Sequence, residues 1–339
     1  RPFSGGGFLP RCPASGGCLP AYSEAWNIER GGDGLKINAV FEGGGVKGIA
    51  LVGALKAAEE CGFKVNEAAG TSSGAIVAAL CAAGYTAGEL KEIVRATPFA
   101  ELLPERGVFG WPERTFRLIF RKGLYPGDRL EGWIRALLAD KGGRVFGDLP
   151  PNKLRIIASD ITDGRLLVLP GDLKRFGLDG DSFPVSRAVR MSASIPFFFE
   201  PVILRTSEGR PVYIVDGGLL SNFPLWLFDR EYGDRIPAIG FQLVGKHDGA
   251  PREINGPVTL LHALFSTMLE AHDERYIEEK YRFRTIKIAT LGIRTTQFNL
   301  SDEESERLYE SGYAAGRKFF AKWSLTAYHK QFMQHNGTA

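Results

Sequence analysis

The chain has 339 residues, of which 44% are hydrophobic and 24% charged, enough for one large domain or two ordinary ones. Its formal net charge of +3 is close to neutral for this size, which excludes a strongly basic nucleic-acid-binding protein. Four cysteines are too few for a disulfide framework, and no pattern of cysteine and histidine indicates a zinc site. We therefore expect no zinc site.

The beginning of the chain is rich in glycine and proline and has no apolar period, so the sequence predicts a flexible leader over residues 1–34. Prolines and glycines stand where the apolar core of a signal peptide would lie, which favours a cytoplasmic or peripheral membrane protein. Because the chain does not begin with methionine, secretion stays open. Residues 68–88 are uncharged and long enough to cross a bilayer, but their glycines and hydroxyl residues indicate a strand, a sharp turn and a buried helix.

The order of apolar segments after Gly34 is typical of an α/β protein. Strands predicted at 36–41 and 65–69 alternate with helices at 49–60 and 74–83, and such a βαβα opening indicates a sheet packed between helices. Further helices are expected at 88–96, 130–138, 260–281 and 302–323, and further strands at 154–159, 166–169, 212–215, 238–244 and 284–289. No repeat or linker divides the ordered part, so we expect one domain over residues 35–323 and a C-terminal tail over residues 324–339.

The pentapeptide from Gly70 to Gly74 has the form of a nucleophile elbow. In the pattern Gly-x-Ser-x-Gly, a serine is held on a tight turn between a strand and a helix, and its neighbours must be small because backbone segments approach closely. Ser72 takes the central position here, with Thr71 and Ser73 beside it. The helix N-terminus after the turn favours developing negative charge. Ser72 is thus the candidate nucleophile; the alternative is an ordinary strand-to-helix turn.

A second glycine-rich turn joins the first predicted strand to the first helix. It comprises Gly43, Gly44, Gly45, Val46, Lys47 and Gly48. Consecutive glycines let backbone N–H groups point into a cavity, where they can bind a phosphate or the oxyanion of an acyl-transfer intermediate. A dinucleotide site would need an acidic residue at the end of the next strand, and the serine elbow occupies that place. The pair of turns therefore favours an oxyanion pocket, with Lys47 either adding positive charge to it or extending into solvent.

A serine nucleophile needs a base, but no histidine follows a strand end beside a glycine turn. The histidines are His247, His262, His272, His329 and His335. A histidine-dependent α/β-hydrolase would formally combine His247 with Ser72 and Asp216. That fold, however, places its elbow after several more strands than precede Ser72 here.

Asp216 is the better candidate for the base. It ends a predicted strand and is followed by Gly217 and Gly218, so its carboxylate is expected to project from the sheet. A carboxylate can accept the serine proton directly if desolvation raises its pKa above the ordinary value. The alternative is a turn aspartate, and Asp160, near another strand end, is the reserve candidate.

These motifs together resemble those of the patatin-like phospholipases. The resemblance rests on the glycine loop after Glu42, the elbow around Ser72 and the motif Asp216-Gly-Gly, in this order, with further similarity at residues 188–201 and 221–224. It implies a three-layer α/β/α sandwich with a mainly parallel central sheet. It also implies a Ser72–Asp216 dyad without histidine, an oxyanion hole formed by the glycine loop, and hydrolysis of phospholipids or other fatty-acyl esters without a metal or other cofactor. The family often has arginine where this chain has Lys47.

A short amphipathic segment indicates contact with lipid. A helix over residues 113–121 would carry Arg114, Arg117 and Arg121 on one face and Phe116, Ile119 and Phe120 on the other. Such a helix either docks on a membrane surface, cationic toward headgroups and apolar toward acyl chains, or packs in the core with a solvated basic face. The run Phe197–Phe199 either lines an acyl pocket or fills core.

Three alternatives to a Ser–Asp hydrolase remain at this stage. They are a histidine-dependent esterase, a nucleotide-binding protein that uses the glycine loop, and a lipid-binding module without catalysis. The sequence leaves the headgroup, the acyl chain length and the oligomeric state open.

Overall fold

The computed structural model describes the central sheet and most of the helices around it. The described residues are 35–97, 116–229, 236–245, 254–256, 260, 263–264, 267, 279–295, 297 and 300–336. The predicted leader over residues 1–34 and most of the helix predicted over residues 260–281 lie outside this part.

The central sheet contains eight of the described strands and is mainly parallel. The strands are β1 (Leu35–Phe41), β2 (Phe63–Thr71), β3 (Gly123–Tyr125), β4 (Leu154–Asp160), β5 (Arg165–Leu169), β6 (Phe197–Phe199), β7 (Val202–Arg205), β8 (Pro211–Asp216), β9 (Ala238–Val244) and β10 (Thr285–Ala289). Their order is β10-β9-β1-β2-β4-β8-β7, with β5 also paired to β4, while β3 and β6 form a separate pair. The strands from β10 to β4 are parallel, whereas β5 and β8 run antiparallel to β4.

Helical segments cover both faces of this sheet. The α-helices are α1 (Gly48–Glu60), α2 (Ser73–Ala82), α3 (Ala87–Ala96), α4 (Asp128–Asp140), α5 (Val185–Ser192), α6 (Asp302–Phe320) and α7 (Leu325–Asn336). The alternation of β1 shows the two faces: Ile37 and Phe41 belong to the large core beneath the helices, whereas Val40 packs on the other side with the short helical turn Leu225–Phe228. The expected fold class, an α/β sandwich around a mainly parallel sheet, is confirmed.

Strand register places the candidate nucleophile and base at the same level of the sheet. Thr71 of β2 is paired with Ile157 of β4, so Ser72 follows at the level of Ala158. Ala158 is itself paired with Asp216 of β8. Two strand spacings of about 4.8 Å put the two backbones on the order of 10 Å apart, a gap that two side chains pointing toward each other can close.

The predicted opening of the domain agrees with the structure to within a few residues. Residues 68–88 divide into strand, turn and helix as expected, and none of the helices in the described part is long and apolar enough to span a membrane. The sequence did not indicate α5, β3, β6 or β7. The segment expected to be a tail contains helix α7, where Tyr328 is buried and its hydroxyl accepts a hydrogen bond from the Ala238 N–H (3.0 Å).

Helices α1 and α6 cross in close contact because glycines face the partner backbone. A Cβ on Gly312 would lie 1.8 Å from the carbonyl oxygen of Ala50, and one on Gly53 would lie 2.0 Å from that of Tyr309. Separations this short are sterically forbidden, so these glycines set the distance between the helices. Because α1 begins at the glycine loop, this contact also holds the loop in position.

We expect Gly312→Ala to lower the free energy of unfolding by about 1–3 kcal/mol, since the added methyl group forces the helices apart. The matched control is Gly132→Ala on α4, where a Cβ meets nothing within 4 Å. That change should raise stability by about 0.5–1 kcal/mol, because alanine is the better helix former. Chemical denaturation of both variants measures the difference; equal effects would contradict the close helix crossing.

Candidate active site

Ser72 occupies a strained turn between β2 and α2. Its backbone angles are φ 54° and ψ −123°, a region that costs a non-glycine residue about 1–3 kcal/mol. Small neighbours make the turn possible: a Cβ on Gly70 would lie 2.3 Å from the carbonyl oxygen of Gly74, and one on Gly74 would lie 2.3 Å from that of Phe41. The pattern of the elbow and its geometry therefore agree.

The glycine loop between β1 and α1 lies directly against this elbow. A Cβ on Gly43 would approach the Ser72 Cβ to 3.2 Å, and one on Gly48 would approach the Ser73 Cβ to the same distance. The N–H of Gly44 donates a hydrogen bond to Ser73 Oγ (3.0 Å). The two turns predicted from the sequence thus form one continuous structure.

The backbone N–H groups of the loop differ in what they bind. Val46 N–H donates to the carbonyl oxygen of Thr295 (3.1 Å), and Gly44 N–H is held by Ser73. Gly45, at φ 58°, lines the cavity described below, and its N–H has no acceptor among the described residues. Gly45 therefore presents the loop's available donor to any group that enters.

Asp216 is buried at the end of β8, with 1% of its surface exposed. Its Oδ1 accepts a hydrogen bond from the Gly218 N–H (2.7 Å), and its Oδ2 makes no hydrogen bond within the described structure. Burial raises the pKa of Asp216 to about 7, while the nearby Ser72 hydroxyl and the Gly218 N–H act to lower it. A carboxyl group of this kind changes protonation near neutral pH.

The C-terminal end of α5 and the residues that follow it contact both residues of the candidate pair, a role that the sequence did not reveal. Ser192 Oγ accepts a hydrogen bond from the Ser72 N–H (2.9 Å), and the Ser194 carbonyl oxygen accepts one from the Asp216 N–H (2.9 Å). Arg190 is buried beneath this segment and donates to the carbonyl oxygens of Pro126 and Glu200 (both 2.7 Å). One rigid segment therefore fixes both backbones relative to each other.

Asn222 joins the glycine loop to the chain that follows Asp216. The Gly43 N–H donates to the Asn222 carbonyl oxygen, and the Asn222 Nδ2 donates to the Gly43 carbonyl oxygen, both over 3.1 Å. The Thr71 hydroxyl donates to the Ser221 carbonyl oxygen (3.0 Å). The sequence signal at residues 221–224 therefore marks a structural link between all three motifs.

An apolar cavity opens beside Ser72. It lies between α1, α2, α3 and α4, and its walls include Ile49, Ile76, Leu80, Leu90, Trp133 and Phe199. Of the run Phe197–Phe199, Phe199 lines the cavity, Phe198 is half-buried against Tyr125, and Phe197 is exposed. Among the described residues of the lining, Ser72 and Ser73 carry the hydroxyl groups and nearly all the others are apolar, so the cavity suits a hydrocarbon group.

The other residues that the sequence offered as a catalytic base or as a positive charge have different positions or contacts. Asp160 Oδ1 accepts hydrogen bonds from the N–H groups of Thr162 and Asp163, so it caps the β4–β5 turn. Lys47 is half-buried against Gly44 rather than fully solvated. His329 is exposed on α7, while His247 lies outside the described residues. Within the described part, no cluster of three histidine, cysteine or acidic residues could hold a metal ion.

The apolar residues of the amphipathic segment are exposed, which corrects the alternative in which they pack in the core. Phe116, Ile119 and Phe120 are 55%, 63% and 63% exposed, around the π-helical turn Arg117–Arg121. Arg117 is paired with Glu200 (2.6 Å), so it does not face solvent as predicted, and Arg114 lies outside the described residues. The exposed cations here are Arg121 and Lys122.

The chain belongs to the patatin-like phospholipase family, whose sequence model matches residues 39–229. It is 45% identical over 294 residues to YqhO of Bacillus subtilis, across 86% of this chain and 100% of that protein. It is 27% identical to the cUMP-AMP-activated phospholipase of Escherichia coli, across 58% of each chain. Among solved structures, VipD from Legionella pneumophila shares the fold, with a TM-score of 0.52 at 19% identity over 87% of this chain and 67% of VipD. The family resemblance of the motifs is thus confirmed.

We expect Asp216→Asn to change how stability depends on pH. Because the pKa in the folded state (about 7) lies above the ordinary 3.8, protonated Asp216 stabilises the fold at acid pH. That stabilisation is lost as pH rises from about 4 to about 7. The variant keeps the Oδ1 acceptor but cannot ionise, so its stability relative to the wild type should rise by about 2 kcal/mol between pH 5 and pH 8. Denaturation of both proteins at both pH values measures this; a difference independent of pH would contradict the raised pKa.

Proposed function

We propose that this protein is a lipid acyl hydrolase with Ser72 as nucleophile and Asp216 as general base. The proposal is supported by three features that the structure brings together in one place. A serine in a strained turn lies beside a buried carboxyl group whose pKa is near 7 and forms part of the wall of an apolar cavity. Strained backbone and perturbed pKa values concentrate at catalytic sites. A turn with a purely structural role would need neither a strained backbone nor a raised pKa.

The first half-reaction forms an acyl-enzyme. Ionised Asp216 takes the proton of the Ser72 hydroxyl as Oγ attacks the ester carbonyl carbon, and a tetrahedral intermediate forms. When the intermediate collapses, the bond from carbon to the leaving oxygen breaks, and that oxygen takes the proton from Asp216. The alcohol or lysolipid departs and the acyl group stays on Ser72.

The second half-reaction uses water in place of serine. Asp216 takes a proton from a water molecule, the resulting hydroxide attacks the acyl carbon, and Ser72 regains its proton as the fatty acid leaves. A pKa of about 7 makes this carboxylate about a thousandfold more basic than an ordinary aspartate, yet leaves it mostly ionised at pH 8. The Ser72–Asp216 pair therefore needs neither a histidine nor a metal.

Negative charge on the carbonyl oxygen requires donors, and the glycine loop supplies them. The free N–H of Gly45 is the primary donor in this proposal, and the N–H of Gly44 joins it by turning from Ser73 Oγ toward the oxyanion. The Val46 N–H already donates a hydrogen bond to the Thr295 carbonyl oxygen, so it contributes less to stabilising the oxyanion. The positive end of α2 adds to the stabilisation.

The substrate is a fatty-acyl ester, a phospholipid or a related lipid. The apolar cavity favours a hydrocarbon chain over a polar acyl group, and the Escherichia coli relative is named a phospholipase. The rival classes lack such support. The described lining of the cavity beside Ser72 is mostly apolar, which suits a nucleotide poorly, and a lipid-binding module would not need the strain at Ser72.

We expect Ser72→Ala to abolish ester hydrolysis and Asp216→Asn to lower kcat by about 10²- to 10⁴-fold, the usual contribution of a general base. Hydrolysis of p-nitrophenyl butyrate measures both. The matched control is Ser73→Ala, which loses one hydrogen bond to Gly44 and should retain at least about a tenth of the activity. Wild-type rates in Ser72→Ala or Asp216→Asn would refute the assignment, and an inactive His247→Ala would favour the histidine-dependent rival.

We further propose that the exposed apolar turn docks on an anionic membrane surface. The rings of Phe116 and Phe120 pack against each other in a tilted arrangement (4.5 Å between ring centroids), beside the exposed cations Arg121 and Lys122. Phe197, also exposed, extends the same surface, since it pairs with Gly123 directly after this turn. Phe199, two residues further along the strand, lines the cavity, so the surface borders its entrance.

Phe116→Ser with Phe120→Ser should weaken binding to vesicles that contain anionic phospholipid by roughly tenfold or more, because two half-exposed aromatic rings no longer enter the interface. Hydrolysis of soluble butyrate esters should remain unchanged. Met333→Ser, at an equally exposed apolar position on α7, serves as control in vesicle sedimentation. Unchanged vesicle binding, or equal loss on soluble esters, would contradict docking through this turn.

A further inference from the structure

We propose that the cavity beside Ser72 selects substrates by the length of their acyl chain. It accepts about ten carbons and is closed at its far end by Leu80 and Leu90. This inference rests on the proposed hydrolase function and adds the chain-length selectivity that the sequence leaves open. It follows from how the cavity is built along two helices.

The cavity runs parallel to the axes of α1 and α2. On α2 its wall contains Ser72, Ile76 and Leu80, spaced four residues apart on one helix face. On the neighbouring side it contains residues from Gly45 to Val52. Both helices start at the ends of strands β1 and β2, at the level of Ser72. The cavity therefore leads from the nucleophile into the protein rather than along its surface.

The length of the cavity wall along α2 limits the length of acyl chain that the cavity can hold. From Ser72 to Leu80 is eight residues, or about 12 Å along a helix at 1.5 Å per residue. A zigzag hydrocarbon chain with bonds of about 1.5 Å near the tetrahedral angle advances by about 1.25 Å per carbon. An acyl group attached to Ser72 Oγ therefore reaches Leu80 after about ten carbons.

The far end is closed by two buried leucines. Helix α3 begins five residues after α2 ends and packs mainly on α1, so α1, α2 and α3 together enclose the cavity. Leu90, in the first turn of α3, lines the same cavity as Leu80 near the end of α2. Both Leu80 and Leu90 are only 2% exposed, so a longer chain meets a wall there. Trp133 forms part of the side wall and can report on occupancy.

The first experiment is a chain-length series of p-nitrophenyl esters from butyrate to palmitate. For the wild type we expect kcat/KM to rise by up to about fourfold per methylene and to level off or fall beyond about ten carbons. Leu80→Ala should move that limit to longer chains, and Val77→Phe, halfway along the wall, should move it to about six carbons. Leu55→Ala, an equally buried leucine of α1 outside the cavity, should leave the limit unchanged.

A second experiment does not depend on catalysis. Decanoate added to Ser72→Ala protein should change the tryptophan fluorescence saturably, and this change should disappear in Ser72→Ala with Trp133→Phe. If butyrate is hydrolysed but the limit stays fixed in Leu80→Ala and Val77→Phe, the measuring role of the cavity is refuted while the hydrolase proposal stands. Saturable decanoate binding without ester hydrolysis would keep the cavity as an acyl site and refute the hydrolase. Absence of a saturable response refutes the cavity as an acyl site.

Discussion

The close approach of neighbouring chain segments at three glycine-containing turns is the constraint on which this structure depends. A Cβ on Gly74 would collide with the carbonyl oxygen of Phe41, one on Gly43 with the Asn222 side chain, and one on Gly217 with the carbonyl oxygen of Ile157, each at 2.3 Å. Larger residues would push the glycine loop, the elbow and the end of β8 apart. Only with hydrogen as the side chain do the three turns pack closely enough to enclose one small pocket.

This packing has opposite consequences for the two candidate catalytic residues. It keeps water from Asp216, which raises the pKa of its carboxyl group and so weakens the fold at neutral pH. It also holds Ser72 in an unfavourable conformation, with Ser192 and the start of α2 on either side. Both effects oppose folding, so the surrounding core must stabilise them; in particular, the tight contact of α1 with α6 anchors the loop from behind. A site assembled this way is already arranged before substrate arrives, as electrostatic stabilisation of a transition state requires.

The sequence predicts much of this because the decisive features are local. A strand followed by glycines and then a helix is visible in the pattern around Gly45 and again around Ser72, and adjacent parallel strands bring such turns together. Asp216 ends β8, as the sequence predicts. The sequence did not show that this strand runs antiparallel to β4, or that Asp216 is paired there with Ala158 at the level of Ser72.

Other parts of the site depend on contacts between distant segments. Ser192 lies 120 positions from Ser72 and Asn222 lies 179 from Gly43, and no local pattern assigns a hydrogen bond over such separations. The exposure of Phe116 and Phe120 was equally hidden, because an amphipathic period shows that a helix has two faces but not which one meets the protein. The cavity likewise arises from four helices, each of which alone shows only ordinary apolar residues.

The central claim is that the Ser72 hydroxyl is activated by Asp216 alone. The most direct measurement is the rate at which a fluorophosphonate phosphonylates Ser72, followed by mass spectrometry of the labelled peptide across pH 5 to 9. The account predicts that the wild-type labelling rate rises through about pH 7 and then levels off. In Asp216→Asn the rate should be lower by at least about 10²-fold at every pH. The labelling rate of His247→Ala should match that of the wild type. Labelling of Asp216→Asn at the wild-type rate, or loss of labelling in His247→Ala, would contradict it.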